Sequence, residues 1–312
     1  MNTLREMESP PRLALWCRCR DEDISYAARL RPDVLSLSLP ASELHIRVRL
    51  GKNRAWVLAR LQESVELARD LGIARLSLGV EDASRAEIGF FADLIDTAVA
   101  LGVERIRLAD TVGILTPGAT AALVAGQHQL HPGVEFAFHG HNDFGMATAN
   151  AVSALEAGAQ WADVTVLGLG ERAGCSRLEE VASLLTLVHR TKTYRLERLV
   201  PLCALVAEAS GRTIPANHPL VGEAVFSCET GIHVHGLLAD PATYEPFPPE
   251  RLNSRRTILL GAKTGSRAVA GYLLRLGVQV PTDSLPGIVR HIRTLATRLG
   301  RPLREAEVRN LV

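Results

Sequence analysis

The sequence predicts an α/β fold: a TIM-type (β/α)8 barrel lacking its first one or two strands, followed by a smaller, mainly helical region. Three observations carry this. From about residue 12 to residue 190, short β-rich runs alternate with helical stretches, the pattern of parallel strands joined by crossover helices. Polar residues collect where the strands end, at Glu81-Asp82, Asp110-Thr111, His139 and His141, and Gly168–Gly174. That is the edge at which such barrels keep their chemistry. Beyond about residue 195 the alternation stops.

The strands are read at Leu13–Cys19, Val34–Leu39, Leu76–Val80, Arg105–Ala109, Val134–Phe138 and Val164–Leu167, each a short apolar run bounded by turn formers. Between them, helices are expected at Trp56–Leu71, Arg85–Leu101, Ala119–Gln129, Ala147–Ala157 and Arg177–Val188. A complete barrel has eight strands. The first eleven residues hold no credible strand, so the chain is expected to enter the barrel part-way, with an N-terminally truncated barrel over residues 1–192. Its first and last strands would then carry open edges that invite pairing with another chain. Residues 193–312 form the second region: an amphipathic helix at Leu196–Ser210, a Pro/Asn/His loop at Ile214–Leu220, and a Gly-His-rich stretch at Gly222–Leu238. The Pro-rich Pro241–Pro249 follows, then helices at Ser266–Leu276 and Leu285–Leu299 and a third over Arg304–Leu311.

Of 312 residues, 47% are apolar, enough for a large core. Lys and Arg number 35 against 34 Asp and Glu, a balance that gives no support for nucleic-acid or anionic-membrane binding. No apolar run reaches transmembrane length. Cys17, Cys19, Cys175, Cys203 and Cys228 show no disulfide-framework spacing and no secretory leader precedes them, which reads as a reduced, cytoplasmic protein.

The most informative run is His139-Gly140-His141-Asn142-Asp143-Phe144-Gly145, at the end of one strand and the start of an Ala-rich helix. Two histidines two apart on an extended backbone point to the same side. With a carboxylate following, they form two or three corners of a divalent metal site. The alternative is a pair of histidines satisfied by hydrogen bonds at a strand end.

Phe138 to Asn150 (FHGHNDFGMATAN) and Gly168 to Gly174 (GLGERAG) resemble the two signatures of the homocitrate synthase/isopropylmalate synthase family. Leu15-Trp16-Cys17-Arg18, Glu81 to Ala86 and Ala109 to Gly113 are most similar to the nitrogen-fixation branch of homocitrate synthases. The resemblance covers about residues 12–275. It implies a metal-dependent barrel (Mn²⁺, Mg²⁺ or Zn²⁺) that condenses acetyl-CoA with a 2-oxo acid, 2-oxoglutarate in this branch, working as a homodimer. A 2-oxo acid chelates a divalent ion through its carboxylate and keto oxygens, and the ion polarises the carbonyl. The resemblance gives His139 and His141 as metal ligands and Thr111 as the hydroxyl on the oxo-acid carboxylate, where a turn or N-cap hydroxyl is the alternative. Asp143 could orient a ligand or cap the next helix. Glu81, Asp82 and Arg85 either order the site or are ordinary loop charges. His233 and Tyr244 match positions that serve a neighbouring subunit's active site, the histidine drawing a proton from the acetyl methyl group, a task that suits an imidazole.

Departures from the family pattern temper these implications. The family's first strand carries Arg-Asp-Gly or Arg-Glu-Gly; Thr3 to Glu8 resembles it only superficially, and Arg5 and Glu6 read better as the end of a helix. Cys175 stands where the family has asparagine, either as a zinc-binding thiolate or as a small buried residue. Leu167 and Cys228 replace an asparagine and a histidine, and Ala262-Lys263-Thr264-Gly265 replaces Lys-His-Ser-Gly. Two readings follow: a homocitrate-synthase-type acyltransferase whose missing strands come from a companion chain or an earlier start, with isopropylmalate or citramalate synthase as siblings, or a catalytically impaired paralogue serving as a binding or regulatory subunit.

Overall fold

A computed structural model describes residues 2–192 and 194–311. It divides into two compact units, one ending at Val181 and the other beginning at Ala182, each described by itself below.

The first unit holds six parallel strands in sequential order: β1 (Ala14–Arg18), β2 (Val34–Pro40), β3 (Leu76–Glu81), β4 (Arg105–Asp110), β5 (Glu135–Gly140) and β6 (Trp161–Ala162). Helices cross over between them: α2 (Asp21–Arg29), α3 (Arg54–Asp70), α4 (Ile88–Ala100), α5 (Pro117–Leu130) and α6 (Ala147–Glu156). A short α1 (Asn2–Arg5) precedes the sheet and α7 (Leu178–Leu187) follows it. This is six-eighths of a (β/α)8 barrel. Among the described residues β1 and β6 have one neighbour each, and the tryptophans there, Trp16 and Trp161, stay 56% and 39% exposed.

Strand alternation separates two faces. Leu37, Leu78, Ile106 and Phe136 stand in register across β2 to β5 and are fully buried. Each such side chain contributes roughly 1.5–3 kcal/mol of hydrophobic stabilisation. The opposite face is polar and small: Ser38, Gly79 and Arg107 share one row. His139, two residues beyond Ala137 in that row, lies on this same face.

Local chemistry sets the helix starts. Asn53 accepts from the amide of Trp56 at 2.9 Å to begin α3, and Thr116 with Pro117 begins α5. The helix expected from Arg85 begins only at Ile88, because the Glu87 carboxylate caps the amides of Gly89 and Phe90. Ala83–Arg85 is a separate 3₁₀ turn. The strand expected over Val164–Leu167 is also displaced. The pairing is at Trp161–Ala162, and Val166–Gly168 forms a 3₁₀ turn with Leu167 at φ +58°. The amide of Leu167 donates to the buried Glu179 carboxylate at 3.0 Å, which draws the backbone out of the ladder.

The second unit contains α8 (Leu199–Ser210), a two-residue parallel pair β7 (Ser227–Cys228) and β8 (Thr257–Ile258), then α9 (Gly231–Ala239), α10 (Ser266–Arg275), α11 (Leu285–Leu299) and α12 (Glu305–Arg309). Val234, Ile258, Val269, Leu273 and Ile292 form its core.

Candidate metal centre

The register of β5 brings three donor side chains together. His139 lies on the strand and His141 just past it, on the same face. His141 forms an isolated antiparallel bridge with Cys175, and residues directly opposite in such a pair project their side chains to the same side. The two imidazoles meet with Nε2 atoms 3.3 Å apart, and the Cys175 sulfur lies 3.9 Å from His141 Nδ1. One ligand atom from each of the three falls within 4.8 Å of the others. The third corner is sulfur, not the carboxylate of Asp143.

The loop carrying Cys175 tolerates little change. At Gly174, φ is +91° and a Cβ would come within 2.0 Å of the Gly168 carbonyl oxygen, so only glycine fits. Ser176, fully buried, donates to the Ala147 carbonyl at 2.9 Å and pins the far side.

A supporting carboxylate follows β6. Asp163 bonds His139 Nδ1 at 3.1 Å and also pairs with Arg107. Burial works against its ionised form, but the His139 hydrogen bond and the Arg107 charge outweigh burial and hold the carboxyl below its ordinary range. An ionised carboxylate only accepts, so His139 donates through Nδ1, which leaves Nε2 as the ring nitrogen that faces the other donors. For His141, burial and then its neighbours His139 and Arg172 lower the pKa, favouring the neutral ring that metal ligation needs. Burial, reinforced by Asp163, pushes the Cys175 thiol up. Two imidazoles and a thiol with a carboxylate behind them fit a divalent ion.

The other predicted residues are placed around this corner. Thr111 Oγ1 accepts from the Asp82 amide at 2.8 Å. Asp82 is fully buried at φ +56° and is gripped by Arg85 at 2.8 Å, with His45 Nε2 at 3.7 Å. Asp143 turns to Arg172, which forks onto both its oxygens at 2.7 and 2.9 Å and also donates to the Thr111 carbonyl at 2.8 Å. The capping role falls to Asn142, whose Oδ1 accepts from Ala147 at the start of α6. Glu81 pairs with Arg49 and accepts from Ser38 at 2.8 Å. Sequence reasoning missed Asp163, Arg107 and Arg172; an acid just past the strand adjoining the histidines was the available signal.

His233 and Tyr244 belong to the second unit. His233 sits in the first turn of α9 and Tyr244 follows a 3₁₀ turn capped by Asp240, their ring centroids 4.3 Å apart. Both line a cavity of about 400 Å³ with Cys228, Phe226 and Phe247.

Residues 2–206 match the HMGL-like family, and residues 220–299 match the homocitrate synthase post-HMGL domain-like family. The chain is 42% identical to a homocitrate synthase of Frankia alni over 268 residues, which cover 84% of this chain and 74% of that protein. The chain belongs to the homocitrate/isopropylmalate synthase family. It is 37% identical to 2-isopropylmalate synthase 2 of Caldanaerobacter subterraneus subsp. tengcongensis, over 94% of this chain and 76% of that one. Among solved structures it is similar to hydroxymethylglutaryl-CoA lyase of Pseudomonas aeruginosa, with a TM-score of 0.58 and 19% identity over 68% of this chain and 75% of that chain. That likeness supports the barrel fold. Family membership places the chain among acyltransferase-type synthases, and no described helix is long and apolar enough to cross a membrane.

Proposed function

We propose that the protein carries out a metal-dependent Claisen condensation of acetyl-CoA with a 2-oxo acid, 2-oxoglutarate first among them, giving homocitrate. The single observation that carries this is the donor set at the carboxyl end of β5, His139 and His141 with Asp163 bonded behind one ring. When bound, a divalent ion supplies Lewis-acid polarisation of the oxo acid's carbonyl. His139 and His141 hold that ion, and Asp163 fixes the His139 ring. Thr111, whose oxygen already accepts from Asp82, has its hydroxyl proton left to donate to the oxo-acid carboxylate. His233, with Tyr244 packed beside it, serves the neighbouring subunit's site, where it takes the proton from the acetyl methyl group; the carbon so freed attacks the keto carbon, whose C=O π bond opens to an alkoxide that is then protonated. Thioester hydrolysis then releases CoA. Homology to isopropylmalate synthases at similar identity leaves a larger or smaller oxo acid as the sibling reading.

A second reading, a binding or regulatory subunit that does not turn over, is favoured by Cys175 and Cys228, which stand where the family has asparagine and histidine. The test is acetyl-CoA-dependent thiol release with 2-oxoglutarate, pyruvate and 2-oxoisovalerate in turn. Release that depends on 2-oxoglutarate supports homocitrate formation. Release with another acid alone moves the specificity, and saturable oxo-acid binding without release supports the second reading.

A further inference from the structure

We infer that Cys175 is a metal ligand and makes this centre thiophilic, selecting zinc or cobalt over magnesium or manganese. The inference rests on the metal corner of the proposed function and deepens it by naming the ion class. Three observations lead to it.

The sulfur is aimed by backbone pairing, since the bridge to His141 sets both side chains on one side, and its ligand atom lies within 4.8 Å of those of both imidazoles. Metal bonds of about 2.0–2.3 Å in a tetrahedral shell leave donors on the order of 3.3–3.7 Å apart, so small side-chain rotations close the set. The surrounding loop is also shaped to the sulfur: a Cβ at Gly170 would stand 2.7 Å from it. Finally, the donor group found among the described residues is two imidazoles and a sulfur, with Asp143 committed to Arg172 and Asp163 to His139 and Arg107. Hard ions such as Mg²⁺ and Mn²⁺ favour carboxylate, carbonyl and water oxygens, whereas two imidazoles with a thiolate suit Zn²⁺. On ligation the S–H bond breaks, a sulfur–metal bond forms, and the proton goes to solvent.

The test is metal binding by the full chain without substrates. The chelator-stripped protein is titrated with Zn²⁺ against excess Mg²⁺, and a Co²⁺-loaded sample is read for the thiolate-to-cobalt charge-transfer band. The expected result is one Zn²⁺ per chain held against Mg²⁺ and a charge-transfer band in the unmutated protein, which needs no variant to fold. Cys175→Ser should lose the band and weaken Zn²⁺ by more than roughly 100-fold, beyond the loss seen on removing an outer-shell partner. A Co²⁺ spectrum without the band, or Cys175→Ser binding Zn²⁺ as tightly as before while His139→Ala does not, would overturn the inference and leave the two-histidine site standing. Failure of condensation with the band present would instead sink the proposed reaction and keep sulfur ligation. If the stripped protein takes up no ion, both fall.

Discussion

The strand-end corner of the first unit and the His233–Tyr244 cavity of the second are built in opposite ways. His139, His141 and Cys175 are positioned by main-chain pairing, a parallel ladder on one side and an antiparallel bridge on the other, and Asp163 and Ser176 lock the result. His233 is an exposed side chain in the first turn of α9, and Tyr244, 46% exposed, is placed by a short turn rather than a sheet. Donors fixed by backbone register are set before any ligand arrives. Groups on an exposed helix start contribute little to folding and depend on what enters the cavity they line. Perturbing the first region should therefore disturb structure and metal together, whereas perturbing the second should disturb chemistry alone.

The largest effect is expected from Gly174→Ala. A methyl group cannot fit against the Gly168 carbonyl, so the variant should lose about 2–4 kcal/mol of stability and metal binding with it. Thermal unfolding and metal titration would show both losses; a stable, metal-binding variant would break the claim that backbone geometry holds the corner. Next comes His233→Ala, expected to slow turnover by roughly 10²–10⁴-fold while stability shifts by no more than about 0.5 kcal/mol and metal affinity stays level. If metal affinity falls as well, the two regions are coupled and the comparison fails. Asp163→Asn should weaken the metal by roughly 10–100-fold through the freed His139 ring and cost about 0.5–3 kcal/mol of stability as Arg107 loses its ion pair, as equilibrium dialysis and thermal unfolding would show. The smallest change belongs to Tyr244→Phe, which keeps the ring beside His233 and should alter turnover only a few-fold; complete loss would assign the phenol a proton-transfer role of its own.

Much of the fold was legible because the central strands are short apolar runs flanked by turns, and β2 through β5 lie where those runs fall. The helix Leu285–Leu299 is likewise where its periodicity puts it. Legibility failed where a tertiary contact overrode a local pattern. Val164–Leu167 has strand composition, yet the Glu179 carboxylate claims the Leu167 amide and turns the chain. Asp21–Arg29 went unread because only Ile24 and Ala27 of its nine residues are buried, too few to mark a periodic stripe. The Gly-His-rich stretch concealed α9, since its two glycines lower helix propensity while Val234 and Leu237 anchor it from below. In the site, the spacing of His139 and His141 was enough to place both imidazoles on one face. Cys175 was legible as a candidate only through its place after the GLGERAG run, whereas Asp163 reaches the corner through a side-chain hydrogen bond that no local pattern encodes.

On the proposed function, the donors at the end of β5 make this chain a metal-dependent carbon–carbon bond-forming enzyme. The most direct measurement is mass-spectrometric detection of the condensation product from labelled acetyl-CoA and 2-oxoglutarate, comparing metal-loaded protein, metal-stripped protein and His139→Ala. Labelled homocitrate from the metal-loaded protein alone is the predicted result. Equal product after stripping, or none from the folded and metal-loaded chain, would contradict it.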